Sequence, residues 1–202
     1  MMKTIAESIQ VIIEKQNELG YYMPKIINQP ATDIQIKETE DKLGLKFNEE
    51  LRELYAIANG VANDNITFSG LIGLIPIHVF MSLDDAIVYY NIGIDDTDYF
   101  ENWENKFTPQ KRLFPFLEDG AGNCYWVDLN PGTANENQIY WTNTFGEAPN
   151  YLYESLTNFL STIAEGYETG VFMLDEENYL DMDYDRFDAI SAKNNPYLDY
   201  WK

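Results

Sequence analysis

The sequence predicts one α+β domain, or one such domain with short extensions. Segments with helical periodicity come first, short apolar segments typical of strands occupy the middle, and a further helical segment follows. This separation of helices from strands indicates the α+β class, because α/β folds alternate the two along the chain. With 202 residues, 45% of them hydrophobic, the chain can form a sizeable core.

Three helices are predicted in the first part of the chain. Each begins at a side chain that can accept a hydrogen bond from a first-turn N–H, and each ends near a glycine. Apolar residues recur every three to four positions between these signals, as a buried helix face requires. The predicted N-caps are Thr4, Thr32 or Asp33, and Asn48, and the terminating glycines are Gly20, Gly44 and Gly60.

The middle of the chain predicts short strands around one helix. Ser82 and Asp85 form a capping box that starts this helix, and residues 93–111 are expected to be a loop or a loose helix. A further helix is predicted over residues 151–165, ended by Gly166. The strand patterns cover residues 66–68, 71–77, 112–117, 124–129 and 138–142.

The C-terminal segment predicts an acidic extension that packs on the domain. The sequences VFML and YLDM predict two short strands around the turn DEEN, and DRFDAISAK predicts a short helix. From Glu168 onward there are nine acidic and three basic residues, but the apolar residues among them indicate packing. The predicted organisation is an N-terminal helix and connector over 1–30, the domain over 31–166 and the extension over 167–202.

Charge is the unusual property of the sequence. Thirteen basic residues against thirty-four acidic ones give a net charge of −21. Such a chain repels phosphate backbones and anionic membranes, so we expect no direct binding to nucleic acid or to a membrane. The same charge favours a basic partner, and solubility alone is the alternative explanation.

Several features predict a cytoplasmic protein. Cys124 is the only cysteine, which excludes an intramolecular disulfide and fits a reducing compartment. The N-terminal sequence MMKTIAESIQ has a glutamate where a signal peptide needs apolar residues. The most apolar run, residues 70–81, is too short to span a bilayer.

The stretch FLEDGAGNCYWVDLNPG, residues 116–132, has two features of a ligand-binding loop. Gly120 and Gly122 begin a G-x-G pattern, but a dinucleotide loop needs a third glycine and a following helix, whereas a strand pattern follows here. The carboxylates of this stretch lack the spacing of a calcium loop, as do those of the C-terminal segment. The glycines therefore predict a hairpin turn from Asp119 to Asn123.

No residue pattern specifies a catalytic centre. The chain has one histidine, His78, and one cysteine, Cys124, which nearly excludes zinc sites and favours structural roles for both. Glycoside hydrolysis would need a defined pair of carboxylates, and the abundance of acids singles out none. We therefore predict no catalytic residue, no metal and no cofactor.

Five residues are candidates for contacts with a protein partner. Tryptophan is enriched at protein interfaces, although strand patterns indicate that at least one of Trp126 and Trp141 is buried. Trp103 lies in an acidic segment and is the better contact candidate. Strand alternation places Trp126 and Asp128 on one face, opposite Tyr125 and Val127. The candidates are Trp103, Asp119, Trp126, Asp128 and Trp141.

The motifs and their order resemble a known family. The run IKETEDKLGLKFNEELRELYAIANG gives a helix with Glu and Leu-Gly, followed by a helix that ends in Asn-Gly. The hairpin stretch supplies Pro115-Phe116, Asp119-Gly120, Gly122-Asn123, Tyr125, Val127-Asp128-Leu129 and Pro131-Gly132. With the closing segment SLTNFLSTIAEG, these motifs resemble the SUKH superfamily (Smi/Knr family) over about residues 34–166. Phe47-Asn48 departs from the usual Leu-Pro, and Asn48 can cap the helix instead.

The resemblance implies a non-enzymatic protein-binding domain, with helices packed around a curved, largely antiparallel sheet. Bacterial members are mostly immunity proteins that bind and neutralise a cognate toxin, often a nuclease or a deaminase, and fungal relatives regulate cell-wall synthesis. Together with the net charge, this implies a basic toxin as the partner. A regulatory scaffold and a carbohydrate-active enzyme are the alternatives, and the oligomeric state stays open.

Overall fold

The computed structural model describes residues 2–62, 73–95, 112–142 and 150–202. Within them the chain forms six α-helices, a five-stranded sheet and a separate two-stranded hairpin. The helices are α1 (Ile5–Leu19), α2 (Asp33–Leu43), α3 (Glu49–Ile57), α4 (Leu83–Asp95), α5 (Leu156–Glu168) and α6 (Tyr184–Asn194). The strands are β1 (Val79–Phe80), β2 (Leu113–Glu118), β3 (Cys124–Asp128), β4 (Ile139–Thr142), β5 (Asn150–Tyr153), β6 (Phe172–Leu174) and β7 (Leu180–Met182). Short 3₁₀ turns lie at Met23–Lys25 and Asp199–Trp201.

The N-caps of the helices lie where the sequence predicts, but α3 ends at Ile57, with Ala58 extended, and not at Gly60. In each case the side-chain oxygen of the cap accepts a hydrogen bond from the N–H three residues later, which satisfies a donor that the helix leaves free. These pairs are Thr4 with Glu7, Thr32 with Gln35, Asn48 with Leu51 and Ser82 with Asp85. The local signals in this part of the chain are therefore sufficient to predict where these helices begin.

The five-stranded sheet is an antiparallel meander in the order β1-β2-β3-β4-β5. Trp126 of β3 lies opposite Pro115 of β2 on one side and Tyr140 of β4 on the other. The proline fits within β2 because the register shifts between Pro115 and Leu117, and such irregularities tolerate a missing N–H. The predicted α+β class is confirmed.

Helices α3 and α5 cover one face of this sheet. The ring of Phe159 in α5 lies 5.5 Å from Phe116, 5.4 Å from Tyr125 and 4.8 Å from Tyr153, so it contacts three strands at once. Aromatic contacts from α3 and the segment before it cover the neighbouring part of the same face. This layer places the main core between the helices and the sheet.

A buried polar network ties the N-terminal helix to the rest of the fold. Gln16 of α1 donates hydrogen bonds to the hydroxyl of Tyr167 (2.7 Å) and to the carbonyl of Gly73 (3.0 Å). The Tyr167 hydroxyl donates in turn to the carbonyl of Leu74 (3.1 Å). Because buried polar groups are costly without partners, these bonds fix α1 against α5 and the segment before β1.

The C-terminal extension packs on α5 and on the edge strand β5. Arg186 of α6 donates to the carbonyls of Thr169 (2.6 Å) and Gly170 (3.2 Å), where a cation is favourable at the C-terminal end of α5. Trp201 donates through Nε1 to the carbonyl of Leu152 (2.5 Å) on β5. The predicted strands and helix of the extension are present, and Trp201 partly covers an otherwise open sheet edge.

The helix prediction over 151–165 is wrong at both ends. Residues 150–153 form strand β5, and α5 begins after Ser155, whose side chain accepts the N–H of Asn158 (3.1 Å). The helix also continues through Gly166, which is buried: a Cβ atom there would lie 2.6 Å from the ring of Phe172. The glycine therefore permits close packing rather than ending the helix.

The strand prediction over 71–77 is also wrong in its described part. Residues 73–77 form turns with an isolated bridge between Ile75 and His78, and the strand begins at Val79. The backbone of Ile77 has a positive φ of 60°, which no regular strand contains. The predicted strand over 66–68 lies outside the described residues.

Candidate protein-binding surface

The turn of the β2–β3 hairpin is organised by the carboxylate of Asp119. Its Oδ1 accepts the backbone N–H groups of Ala121 (2.8 Å) and Asn123 (2.9 Å), and its Oδ2 accepts the side-chain amide of Asn123. Gly120 and Gly122 take φ values of 72° and 97°, which glycine adopts without steric cost. The predicted hairpin turn is confirmed, and the buried carboxylate of Asp119 is used inside it.

Asp128, at the other end of β3, is also buried and internally bonded. Its Oδ2 accepts the hydroxyl of Tyr151 (2.6 Å), and its Oδ1 accepts the backbone and side-chain amides of Asn130 (2.8 Å each). Burial, followed by the hydrogen bond to Asp128, raises the pKa of Tyr151. The carboxylate thus ties β3 to β5, two strands away in the sheet.

Trp126 lies between these two aspartates and is only 3% exposed. Its Nε1 donates to the hydroxyl of Thr142 (3.0 Å). The ring of its cross-strand neighbour Tyr140 lies 4.9 Å from the ring of Tyr151, in a tilted arrangement. Trp126, Tyr140 and Tyr151 therefore form an aromatic row across three strands on the face away from α5. Direct contact of Trp126 or Asp128 with a partner stays a prediction, and both side chains have a structural role.

Of the two remaining tryptophan candidates, Trp141 lies within the described residues. Trp141 of β4 pairs with Tyr125 of β3, so the two side chains lie on the same face of the sheet. Trp141 is half-buried. Its buried Nε1 has no hydrogen-bond partner among the residues that the structure describes. Trp103 lies outside the described residues. The structure therefore brings Asp119, Trp126 and Asp128 onto one hairpin, with Trp141 on the adjacent strand.

The sequence does not predict the backbone conformation of Ile77, which lies two residues before strand β1. Its side chain is 57% exposed, and its φ of 60° is strained for a β-branched residue. The next residue, His78, packs edge-on against Tyr125 at 5.0 Å. No local signal predicts this backbone conformation, because an isoleucine adopts positive φ only where tertiary contacts impose it.

The two side chains with catalytic potential are both held in structural roles. Burial lowers the pKa of His78, whose Nδ1 lies 2.9 Å from the carbonyl of Pro76. Burial raises the pKa of the Cys124 thiol, which keeps it protonated and poorly nucleophilic. Within the described residues, no cluster of three or more His, Cys, Asp or Glu could hold a metal ion.

Comparison with known proteins identifies the family. None of the helices in the described ranges is long and apolar enough to cross a membrane. No curated protein matches the sequence. The model of the SMI1 / KNR4 family (SUKH-1) matches residues 30–162, about two thirds of the chain, which include the whole five-stranded sheet. SUKH domains bind other proteins and are generally not enzymes. The chain belongs to the SMI1 / KNR4 family (SUKH-1).

Proposed function

We propose that this chain is a non-enzymatic immunity protein that binds and neutralises a cognate basic toxin. The observation that carries the proposal is the net charge of −21 on the whole chain, whose residues 30–162 match a protein-binding family. A basic, nuclease-like toxin is complementary to this charge, because its substrate-binding face evolved to hold a polyanion. Charge complementarity also raises the rate of association, which a neutralising protein needs.

The cations of the described residues are already counted in this net charge. Most of them are already engaged with the protein's own carboxylates, as in the pair between Arg52 and the buried Glu40. The other ion pairs are Lys3–Glu168, Lys15–Glu18, Lys37–Asp41, Lys193–Glu165 and Lys202–Asp199. Since acids outnumber bases by thirty-four to thirteen, most carboxylates have no cation to pair with.

The proposal includes a cytoplasmic location, where an incoming toxin would act, and no nucleic acid, membrane or cofactor as a direct partner. The alternative is a regulatory scaffold, which would also bind a protein without catalysis, but whose partner would be an endogenous protein and not a toxin. Recovery of such a partner from the native host, in the absence of a neighbouring toxin gene, would favour it. Turnover in a glycan screen, abolished by one carboxylate substitution, would favour a carbohydrate-active enzyme instead.

The test first identifies a toxin encoded immediately upstream in the native genome, and then uses its C-terminal domain in a catalytically inactivated form. Its association with the chain is followed by stopped-flow fluorescence from low salt to about 1 M salt, where the Debye length falls to about 3 Å. We expect tight binding and an on-rate that falls at least tenfold over this range. Absence of binding overturns the proposal, and an on-rate independent of salt overturns its electrostatic part.

A further inference from the structure

The C-terminal extension carries exposed tyrosines next to exposed aspartates. Tyr184 on α6 is 60% exposed, and Asp185 and Asp188 follow it on the same helix with exposed side chains. Tyr200, in the final 3₁₀ turn, is 42% exposed. These four residues, Tyr184, Asp185, Asp188 and Tyr200, are named the tyrosine–aspartate surface.

The four residues lie together. Tyr184 and Asp188 are one helical turn apart, so their side chains share one face of α6. Asp185 and Asp188 are three residues apart and are neighbours on the helix surface. Helix α6 contacts the final 3₁₀ turn, which carries Tyr200. The surface is therefore continuous from α6 to the last turn of the chain.

The surface is held rigidly by the contacts beneath it. Phe187 of α6 packs on Phe172 at 5.4 Å, and the buried side chain of Asn195 accepts the N–H of Glu154 (2.9 Å). In the final 3₁₀ turn, Nε1 of Trp201 donates a hydrogen bond to the carbonyl of Leu152 on β5. A preordered surface loses little conformational entropy on binding, which favours its use as a contact site.

The charges of this surface are uncompensated within the described residues. Neither Asp185 nor Asp188 forms an ion pair there. The extension's own cations are engaged elsewhere: Arg186 with backbone carbonyls, Lys193 with Glu165 and Lys202 with Asp199. Partial burial and the neighbouring Asp185 raise the pKa of Asp188, so an incoming cation would relieve repulsion between the two carboxylates.

We propose that the tyrosine–aspartate surface is the docking surface for a basic protein partner. The aspartates pair with lysine or arginine side chains of the partner, and the tyrosine rings pack against the alkyl or guanidinium groups of the same side chains. The inference rests on the proposed function and goes beyond it by locating the contact. The four residues of the surface lie outside residues 30–162, which match the family. The family-matched domain therefore packs beneath the surface but contributes none of its residues.

Two double variants test the surface against the same upstream-encoded domain. Asp185→Asn with Asp188→Asn removes charge, so we expect association to slow about tenfold at low salt, with the difference vanishing at high salt. Tyr184→Ser with Tyr200→Ser removes packing area, so we expect dissociation to speed up about tenfold. Surface plasmon resonance measures both rates, and thermal melting confirms that each variant is folded.

A matched control removes two carboxylates and one tyrosine from other parts of the surface. Glu38→Gln with Asp84→Asn neutralises two exposed carboxylates at the cleft between α2 and α4, and Tyr22→Ser removes a tyrosine that is 43% exposed. We expect the control to change either rate less than threefold. Equal effects from the control and the surface variants overturn this inference while leaving the proposed function intact.

The unaltered complex gives a second readout that does not depend on variants. Amide hydrogen exchange of residues 184–201 should slow at least tenfold when the upstream-encoded domain binds. Protection confined to other residues overturns the docking surface, although binding itself still supports the proposed function. Failure of the unaltered chain to bind overturns both.

Discussion

Two hairpin turns in this chain are closed by the same aspartate motif. Asp119, between β2 and β3, accepts the N–H groups two and four residues later, and its own N–H donates to the carbonyl of the fourth residue (3.2 Å). Asp175, between β6 and β7, accepts the N–H groups of Glu177 (2.9 Å) and Tyr179 (2.8 Å), and its own N–H donates to the Tyr179 carbonyl (2.9 Å). The hydrogen-bond patterns are therefore the same, although Gly120 has a positive φ and Glu176, at the equivalent position, does not.

The two hairpins differ in what surrounds them. Asp119 is buried, and every residue of the following strand β3 is buried as well. Asp175 is exposed, and so is Met173 in the preceding strand β6. Asp119 and Asp128 of the central sheet thus stabilise the fold through buried internal bonds. Asp185 and Asp188 of the extension are exposed and form no ion pair among the described residues. Residue type alone does not distinguish these roles, and burial does.

The largest expected effect is a loss of stability when a buried strand residue of the β2–β3 hairpin is truncated, compared with an exposed one of the β6–β7 hairpin. Trp126→Ala removes a side chain that is 3% exposed, so we expect the free energy of unfolding to fall by about 3–5 kcal/mol. Met173→Ala on β6 removes a side chain that is 42% exposed, and we expect a loss of less than about 1 kcal/mol. Urea denaturation measures both.

A loss below about 1 kcal/mol for Trp126→Ala would contradict its structural role and favour the predicted partner contact instead. Trp126→Phe is the companion variant. It keeps an aromatic ring but loses the bond to Thr142, and we expect it to cost about 1 kcal/mol or more.

The next effect compares the two turn aspartates directly. Asp119→Ala leaves buried donors unsatisfied, so we expect it to destabilise the protein by about 2–3 kcal/mol. Asp175→Ala breaks equivalent bonds in water-exposed backbone, and we expect a cost of about 0.5–1 kcal/mol. Equal losses of stability for the two variants, measured by chemical denaturation, would show that burial does not set the difference.

Local features of the fold could be predicted from the sequence, and nonlocal ones could not. The bond between Thr4 and the N–H of Glu7 forms within three residues, so its pattern is visible in the chain. Strand β5 was missed because Leu152, Leu156 and Phe159 have helical spacing across Ser155. Pairing of residues 150–153 with β4 overrides that periodicity, and no local pattern reports it.

The candidate surface shows the same limit. Strand alternation in β3 was predicted, and the β3–β4 register follows it. Alternation does not say that both faces are buried, since that depends on α5 on one side and on Tyr140 and Tyr151 on the other. The bond from Tyr151 to Asp128 joins residues too far apart in the chain to leave a sequence motif.

A smaller expected effect is a pH dependence of stability that comes from His78, in the hairpin region. His78 packs against Tyr125 of the β2–β3 hairpin. Burial lowers its pKa, and the Pro76 carbonyl, followed by Asp119 and Glu118, opposes this only in part. The unfolded chain therefore binds a proton near pH 6.5 that the folded chain does not bind until lower pH, so stability is lost as pH falls below about 6.5. The contribution has a limiting slope of about 1.4 kcal/mol per pH unit.

Denaturation curves at several pH values measure this slope. His78→Gln should reduce the loss of stability between about pH 7 and pH 5, because the carboxylates titrate in both proteins and cancel in the comparison. An unchanged pH dependence in the variant would exclude His78 as its source.

The smallest expected effect lies in the extension. Tyr197 is 82% exposed, and its only described hydrogen bond uses the backbone N–H, which donates to Glu154 (2.9 Å). Tyr197→Ser keeps that bond and removes an exposed ring, so we expect the free energy of unfolding to change by less than about 0.5 kcal/mol. Thermal and urea unfolding of the variant check this. A loss above about 1 kcal/mol would mean that the ring stabilises the fold, and the extension would then resemble the central hairpin.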